Sequence, residues 1–409
     1  MVAASSLEHD VPPDVLPANR LTHDSEAIAA AHALAEQAKQ HAARRDQTRE
    51  LPWQQLEAFT RAGLGSITVP RAYGGTPLSL VTLAEVFRIL SAADPALGQI
   101  PQNHFGVLRV VQGSASEAQK QQIFGSVLAG WRIGNAGPER NTRNTLALDT
   151  RAVVDGDDVL INGTKFYSTG ALFAHWVSVK ALDEQGRPVM AFVERGTPGL
   201  RIVDDWSGFG QRTTASGTVH LHDVHVPRSR VVDIWRLSET PNIQGAVSQL
   251  VQAAIDAGIA RAAIDDTIAF VRERSRPWIE AGVERASDDL YVIADIGKLK
   301  LELHAAEALL QRAARVLDDV DAQPVDAESA ARASIAVAEA KALTTEIALQ
   351  ASEKLFELAG SAATLASHNL DRHWRNARVH TLHDPVRWKY HAIGAWRLNG
   401  TAPARHSWI

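Results

Sequence analysis

The chain has 409 residues, of which 45 % are hydrophobic and 22 % are charged, and its formal net charge at pH 7 is −5. This length favours two or three domains, and the composition is typical of a globular protein. A mildly negative chain without a dense lysine or arginine segment is a poor match for nucleic acid as a partner. No apolar run is long enough to cross a membrane, so no membrane partner is expected.

Sulfur-containing residues are almost absent from the sequence. There is no cysteine, and the two methionines are Met1 and Met190. Disulfides, thiolate metal sites and cysteine nucleophiles are therefore excluded. Two explanations stay open: drift in a genome that favours alanine and arginine, or selection for a protein that is made when sulfur is scarce.

The N-terminal part of the chain is polar and then becomes helical. Residues 1–20 contain three prolines and lack the basic-then-apolar pattern of a signal peptide, which predicts a cytoplasmic protein with a flexible tail. Residues 21–129 are predicted to form an α-helical domain. Asp24 or Ser25 can cap a first helix that runs toward residue 43, and further helices are predicted after Pro52 and over residues 80–90.

Residues 130–236 change to the alternating period of strands. Residues 153–154 and 159–161 flank a turn of Asp and Gly residues and predict a β-hairpin. Further short strands are predicted at residues 176–179, 190–193 and 218–221. We expect a compact β-barrel or sandwich from this region.

Residues 237–409 return to helical periodicity with long apolar faces. One face includes Leu299, Leu303 and Leu310, and a later helix can be capped by Asp326 and ended by Gly360. Long amphipathic helices with short connections predict a four-helix bundle with a C-terminal tail.

Several motifs are shared with one known family. Residues 70–75 read Pro-Arg-Ala-Tyr-Gly-Gly, residues 162–168 read Asn-Gly-Thr-Lys-Phe-Tyr-Ser, and residues 375–378 read Arg-Asn-Ala-Arg. In this order they resemble motifs of the acyl-CoA dehydrogenase superfamily, and the resemblance covers nearly the whole chain. It implies an α+β, mostly α, acyl-CoA dehydrogenase-like fold with an N-terminal helical domain, a central β-barrel and a C-terminal four-helix bundle.

The position of the family's catalytic base holds a different residue here. Dehydrogenases of the superfamily usually carry a glutamate shortly after the Arg-Asp-Ala-Arg motif, whereas residues 382–385 read Leu-His-Asp-Pro and place His383 there. Some members carry the glutamate near the start of the first bundle helix, where residues 246–250 hold no carboxylate. Without a base at either place, acyl-CoA dehydrogenation is not expected. An imidazole can instead donate a hydrogen bond to an anionic oxygen.

Three segments resemble a narrower branch, the two-component flavin monooxygenases that oxidise dibenzothiophene or alkanesulfinates. They are Asn-His-Phe-Gly at 103–106, Arg-Pro-Trp at 276–278, and a His-x-x-His-Asp-Pro segment at 380–385. The resemblance implies that His104 and His383 flank the oxygen-reacting side of the flavin, with His380 behind His383. His383 would stabilise a flavin C4a-hydroperoxide, and His104 would position the substrate or the peroxide.

The resemblance also implies a set of flavin contacts. Ser168 would reach the N5 edge of the flavin and take part in catalysis. The other contacts implied are Asn135, Trp206, Arg378 and His383, together with Arg274 or Arg276 from a neighbouring subunit on the flavin phosphate. Guanidinium groups suit a phosphate because they can bind it bidentately.

Other interpretations of these residues stay open. His380 and His383 share one face of a helix, so they can also form a packed structural pair or part of a metal site. His220 and His222 share one face of a strand, with His225 nearby, and a surface role competes there with metal binding. Trp206 can be a core aromatic, Arg274 and Arg276 surface arginines, and His104 a structural histidine. We expect no metal.

The predicted function is oxygen transfer from a flavin C4a-hydroperoxide to a small organosulfur compound, an alkanesulfinate, sulfone or sulfide, for sulfur assimilation. The cofactor would be FMN, used as FMNH2, with molecular oxygen as co-substrate. No Gly-x-Gly-x-x-Gly follows a strand, so a separate NAD(P)H-dependent FMN reductase is expected as partner. The scaffold implies a homotetramer. The alternatives are aromatic thiophene S-oxygenation, amine N-hydroxylation, acyl-CoA dehydrogenation and a non-catalytic flavin-binding protein.

Overall fold

The computed structural model describes residues 11–409, so half of the predicted tail, residues 1–10, lies outside the described residues. Residues 11–20 form no helix or strand, and they lie along the N-terminal domain. The backbone N–H of Asn19 donates to the carbonyl of Arg61 (3.0 Å), and the carbonyl of Asp14 accepts from Nε2 of His175 (3.1 Å).

The N-terminal domain is built from helices, as predicted. They are α1 (Asp24–Lys39), α2 (Ala42–Thr48), α3 (Trp53–Arg61), α4 (Leu80–Ala93), α5 (Pro95–Ser114) and α6 (Glu117–Leu128). Helix α1 buries Ala27, Ala31 and Leu34, which recur at helical spacing.

Helix α5 starts at a well-defined position. Pro95 occupies its first turn, where a missing N–H costs nothing, and the carboxylate of Asp94 accepts from the backbone N–H of Ala96 at 3.1 Å. The same carboxylate is bound by the buried guanidinium of Arg45 at 2.7 Å. The cap therefore fixes α5 to α2, and α5 carries several residues of the site described below.

The middle domain is one eight-stranded sheet. Its strands are β1 (Ile133–Ala136), β2 (Arg151–Asp155), β3 (Asp158–Lys165), β4 (Trp176–Leu182), β5 (Pro188–Glu194), β6 (Leu200–Val203), β7 (Thr218–Pro227) and β8 (Val231–Val232). Their order is β6-β7-β3-β2-β4-β5-β8, with β1 paired in parallel to β4. Strands β2 and β3 pair antiparallel around residues 156–157, which confirms the predicted hairpin.

The C-terminal domain is again helical. Three long helices, α7 (Gln244–Glu273), α8 (Leu290–Asp321) and α9 (Ala327–Ala359), are followed by the shorter α10 (Asp371–His380) and α11 (Arg387–Asn399). Asp326 caps α9 by accepting from the backbone N–H of Ser329 at 2.7 Å, and α9 ends at Gly360 with a φ of 79°. Both boundaries are as predicted. The order of helical, sheet and helical domains confirms the predicted fold class.

Two close approaches join the sheet to the helices on either side. A Cβ on Gly170, which follows β3 with a φ of 82°, would lie 3.0 Å from the carbonyl oxygen of Ile100 in α5. A Cβ on Gly210 would lie only 1.9 Å from the carbonyl oxygen of Arg375 in α10. Only glycine fits at such a distance. The three domains therefore meet around the ends of β3, α5 and α10.

Candidate active site

His383 lies just after α10, where the N-terminal and C-terminal domains meet. Its Nε2 is 3.0 Å from the amide nitrogen of Gln99 on α5, and its Nδ1 is 2.6 Å from the carbonyl oxygen of His380. A carbonyl only accepts hydrogen bonds, so Nδ1 must carry the hydrogen and Nε2 must be the acceptor. The side chain keeps an exposed surface in the single chain.

The protonation state of His383 agrees with this arrangement. Burial of the ring lowers its pKa from 6.5 to about 4, and the nearby charge of Lys341 acts in the same direction. The ring is therefore neutral at pH 7. Its Nε2 accepts a hydrogen bond rather than donating one, which differs from the donor role implied by the resemblance.

His380, one turn before His383, belongs to a buried polar network. Its Nδ1 lies 2.5 Å from one carboxylate oxygen of Asp256 on α7. The other oxygen accepts from Lys341 (2.5 Å) and Thr345 (2.9 Å) on α9. Burial opposes ionisation of Asp256, but the charge of Lys341 and the hydrogen bonds from Lys341 and His380 outweigh it and hold the pKa of this carboxyl well below its usual range.

The hydroxyl of Ser168 is a buried polar group without a partner. The residue is fully buried, and among the described residues its Oγ has no hydrogen bond. The preceding Tyr167 has a φ of 57°, in the left-handed region, which turns the chain sharply after β3. Buried hydroxyls nearly always have a partner, so Ser168 has a free hydrogen-bonding position for a bound molecule.

Asn135 and Trp206 lie on either side of the same turn. The amide nitrogen of Asn135 in β1 is 3.4 Å from the carbonyl oxygen of Tyr167, and its Oδ1 accepts from the N–H of Gly137 at 3.1 Å. The ring of Trp206 lies 6.1 Å from that of Tyr167, and its indole N–H donates to the carbonyl of Gln211 at 2.9 Å. Trp206 is half-buried, so one side of the indole remains accessible.

Unpaired amides extend this polar region. The side chains of Gln211, in the loop after Trp206, and of Gln249, on α7, are buried, and neither amide atom of either has a partner among residues 11–409. Gln102 on α5 donates to Ser248 on α7 at 3.1 Å. A buried amide without partners costs about 1–3 kcal/mol. Gln211 and Gln249 therefore have hydrogen-bonding groups that a polar ligand could satisfy.

His104 lies on α5 with both ring nitrogens already hydrogen-bonded. Its Nδ1 accepts from the backbone N–H of Ile133 at 3.1 Å, which leaves Nε2 to donate to the carbonyl of Gly65 at 2.8 Å. Burial lowers its pKa from 6.5 to about 4. A ligand can reach a ring nitrogen of His104 only if one of these bonds breaks.

The three arginines predicted as cofactor contacts lie in two separate segments of the C-terminal domain. Arg274 and Arg276 are exposed in the segment after α7, and neither forms an ion pair with another described residue. Arg378 lies two residues before His380 on α10, which places it about 200° around the helix, on a different face. Its half-buried guanidinium also has no ion-pair partner in residues 11–409.

The second histidine cluster does not form a metal site. His220, His222 and His225 project from β7 into solvent. Nδ1 of His220 is 3.3 Å from the hydroxyl of Thr164, and Nδ1 of His225 is 3.8 Å from Asp155. Within the described part of the chain, no group of three or more His, Asp or Glu side chains could hold a metal ion.

No local motif in the sequence marks Gln99, Gln249, Asp256 or Lys341 as part of a site. Asp256 is an acid within a long apolar and alanine-rich part of α7, and Lys341 has a similar position in α9. A charge among apolar neighbours on a buried helix needs a partner. That pattern was the available signal, but the identity of the partner depends on how the helices pack.

The fold and the site define a three-domain protein of the acyl-CoA dehydrogenase type. Models of the acyl-CoA dehydrogenase N-terminal, middle and C-terminal domains match residues 23–130, 139–224 and 250–388. The chain therefore belongs to the acyl-CoA dehydrogenase family.

Two curated relatives and one solved structure are similar over nearly the whole chain. Dibenzothiophene monooxygenase of Rhodococcus erythropolis is 32 % identical, with 93 % of this chain and 95 % of that protein covered. The probable FMNH2-dependent monooxygenase SfnC of Pseudomonas putida is also 32 % identical, with 92 % and 96 % covered. The structure of methanesulfinate monooxygenase MsuC from Pseudomonas fluorescens is 29 % identical with a TM-score of 0.87, covering 93 % and 99 %.

Proposed function

We propose that the protein is a reduced-FMN-dependent monooxygenase that oxygenates a small organosulfur compound. The observation that carries this proposal is the neutral His383 at the position of the family's catalytic carboxylate. The segment 246–250, where other members have their glutamate, also lacks a carboxylate. The similar proteins whose names state a reaction include two oxygenases of sulfur compounds.

The cofactor fits the residues that are present. The turn after β3 carries the unpaired hydroxyl of Ser168. Trp206 lies 6.1 Å from Tyr167 in this turn and donates to the carbonyl of Gln211, whose side-chain amide is also unpaired. Reduced FMN bound there supplies two electrons to molecular oxygen. With a sulfinate the overall reaction is FMNH2 + O2 + RSO2− → FMN + RSO3− + H2O.

His383 holds a proton during this reaction. Because Nδ1 is fixed on the carbonyl of His380, Nε2 is the ring nitrogen with a lone pair, and it can take up a proton when the hydrogen bond from Gln99 opens. Gln99 holds Nε2 in place from the opposite domain. Water must be kept out of such a site, since otherwise the electrons end in hydrogen peroxide rather than in product.

The polar amides favour a small polar substrate. The amide nitrogen of Gln249 is a buried donor without a partner, and an oxygen of a sulfinate or sulfone can accept from it. An aromatic thiophene has no such acceptor and would leave the donor unsatisfied, which is the usual basis of strong discrimination. The alternatives are aromatic thiophene S-oxygenation, as in the Rhodococcus relative, and amine N-hydroxylation.

Assembly completes the cofactor site in this proposal. The segment that carries Arg274 and Arg276 continues into Trp278 and Ile279, which are 68 % and 86 % exposed. Large apolar side chains at this exposure favour a protein interface. A homotetramer would cover them, and an arginine of a neighbouring subunit would bind the FMN phosphate.

The proposed reaction needs a source of reduced FMN. The enzyme would receive reduced FMN from a separate NAD(P)H-dependent reductase in the cytoplasm. No helix among residues 11–409 combines the length and apolar character needed to cross a membrane.

The test supplies reduced FMN from a reductase and NADH and measures product and hydrogen peroxide with methanesulfinate, dimethyl sulfone and dibenzothiophene in parallel. We expect product from the sulfinate or the sulfone. Product from dibenzothiophene alone would favour the thiophene alternative, and product from amines alone would favour N-hydroxylation. Oxygen uptake no faster than that of free reduced FMN would contradict any monooxygenase.

Replacing Gln249 tests the substrate argument. Gln249→Leu should raise the KM for methanesulfinate about tenfold, the effect of losing one hydrogen bond to a charged group. Gln112→Leu, an exposed glutamine on α5, is the matched control and should leave KM unchanged. Equal KM values in the two variants would contradict the assignment of Gln249.

A further inference from the structure

A buried ion pair lies directly behind the two histidines of the site. Asp256 on α7 contacts Lys341 on α9 at 2.5 Å and His380 on α10 at 2.5 Å, so one carboxylate joins three helices. Asp256 and His380 are fully buried and Lys341 is 2 % exposed. The network is therefore shielded from bulk water and from screening by salt.

The hydrogen bonds fix which nitrogen of His380 is protonated. A carboxylate can only accept, so Nδ1 of His380 carries the hydrogen that Asp256 binds. Nε2 of His380 is buried and has no partner among residues 11–409. The ring centre lies 4.9 Å from that of His383, whose Nδ1 is also protonated. His380 therefore has a free Nε2, whereas Nε2 of His383 accepts from Gln99.

Packing alone gives little reason for a charged pair at this place. Most other buried residues of α7 and α9 are small or aliphatic, such as Ala253, Ala257, Ala340 and Ala348. A buried ion pair is often no more stabilising than apolar residues of the same volume, because both charges lose their hydration. A charged pair in direct contact with His380 therefore points to a role in setting the state of that histidine.

We propose that Asp256 and Lys341 are positioning residues for the oxygenation. Asp256 holds the hydrogen of His380 on Nδ1 and keeps Nε2 free to take up and return a proton beside His383. Lys341 keeps Asp256 ionised and holds its second oxygen. The effect on oxygenation rests on the proposed function, whereas the state of the His380 ring does not.

The first test measures the His380 ring in the protein without cofactor. Protein labelled with 15N in histidine should show His380 with its hydrogen on Nδ1. In Asp256→Asn, the Lys341 ammonium should bind the amide oxygen, because an ammonium can only donate hydrogen bonds. The NH2 group of the new asparagine would then face His380. The hydrogen should then move to Nε2, a change that 15N chemical shifts report directly.

A matched control separates this effect from a general disturbance of the helix contact. Thr344 is also buried on α9, and its hydroxyl bonds the carbonyl of Lys341 rather than Asp256. Thr344→Val should leave the hydrogen on Nδ1. An Asp256→Asn protein in which the hydrogen stays on Nδ1 would overturn the proposal, whether or not the enzyme oxygenates any substrate.

The second test separates positioning from stability. Asp256→Leu alone leaves the Lys341 charge unpaired, while Asp256→Leu combined with Lys341→Met removes both charges. We expect the double variant to recover most of the Tm lost in the single variant but to form about tenfold less product per O2 than the unchanged enzyme. Recovery of both Tm and product yield would mean a purely structural role and overturn the proposal.

Failure of the proposed function gives a different result. An unchanged enzyme that forms no oxygenated product from any compound tested would contradict the monooxygenase, and the 15N measurement would then decide the state of His380 by itself.

Discussion

Nε2 of His383 lies 3.0 Å from the amide nitrogen of Gln99, so a helix of the N-terminal domain holds a histidine of the C-terminal domain by its acceptor nitrogen. The contact spans 284 positions in the sequence. It fixes the imidazole across the junction of the two domains. In the proposed reaction this neutral group would take up and return a proton.

Replacing His383 should uncouple the reaction. His383→Ala or His383→Phe should form about 10²-fold less oxygenated product, the usual contribution of a positioned acid–base group, while hydrogen peroxide rises correspondingly. FMN affinity should change little. His222→Ala is the control, because His222 has an 87 % exposed side chain. Assaying oxygenated product and hydrogen peroxide in the same reaction measures this effect. An unchanged ratio of product to peroxide in the His383 variants would rule out the proposed role of His383.

Ser168→Ala should weaken FMN binding without destabilising the free protein. The hydroxyl has no partner among the described residues, so its loss should change the free energy of unfolding by less than about 0.5 kcal/mol. The affinity for FMN should fall about three- to tenfold.

Ser178 provides a matched control for Ser168. Its buried hydroxyl donates to the carbonyl of Gly134 at 2.9 Å, so Ser178→Ala should cost about 1 kcal/mol in the free protein. Denaturant unfolding and FMN titration measure the two effects. The same loss of stability in both variants would mean that Ser168 has a partner within the chain.

The stability of the protein should fall in mildly acidic solution because of buried neutral histidines. The pKa of His104 is lowered from 6.5 to about 4 by burial. The unfolded chain therefore takes up a proton first as the pH falls. The stability that this histidine contributes is complete above about pH 6.5 and is lost progressively toward pH 4, by about 3 kcal/mol.

His104→Gln tests this pH dependence. A glutamine can accept from Ile133 and donate to Gly65 in the same way but does not titrate. Tm measured from pH 8 to pH 4.5 should fall less steeply in this variant than in the unchanged protein and in His222→Gln. If Tm falls equally steeply with pH in all three proteins, the buried neutral state of His104 is contradicted.

Arg45→Met should destabilise the N-terminal domain. The Arg45–Asp94 pair is buried, with side chains 2 % and 8 % exposed, so removing the cation leaves a buried carboxylate and should cost about 3–5 kcal/mol. In the neighbouring Arg44–Glu50 pair the side chains are 57 % and 49 % exposed, so Arg44→Met should cost less than about 1 kcal/mol. Urea unfolding measures the stability of both variants. Similar unfolding midpoints for Arg45→Met and Arg44→Met would contradict the expected difference in stability.

Local patterns in the sequence predict the fold well. The hairpin of β2 and β3 follows from alternation around a Gly-containing turn, and the ends of α9 follow from Asp326 and Gly360. His383 was found because it stands at a motif position whose usual residue is acidic. Each of these features depends on neighbours within a few residues.

The surroundings of that histidine depend on contacts between distant segments. Asp256 and His380 are 124 positions apart, and Asp256 and Lys341 are 85 apart. No local pattern pairs them. The hydrogen position on His383 also needs the geometry, because only the 2.6 Å distance to a carbonyl shows that Nδ1 donates. The sequence therefore points to the residue but not to the nitrogen that carries its hydrogen.

Isotope labelling tests the central claim most directly. The enzyme is given methanesulfinate, 18O2 and reduced FMN from a reductase, and the molecular mass of the product is measured by mass spectrometry. The account predicts methanesulfonate with one 18O atom in each molecule. Peroxide as the only labelled product, together with bleaching of oxidised enzyme-bound flavin by an acyl-CoA, would contradict it and show a dehydrogenase.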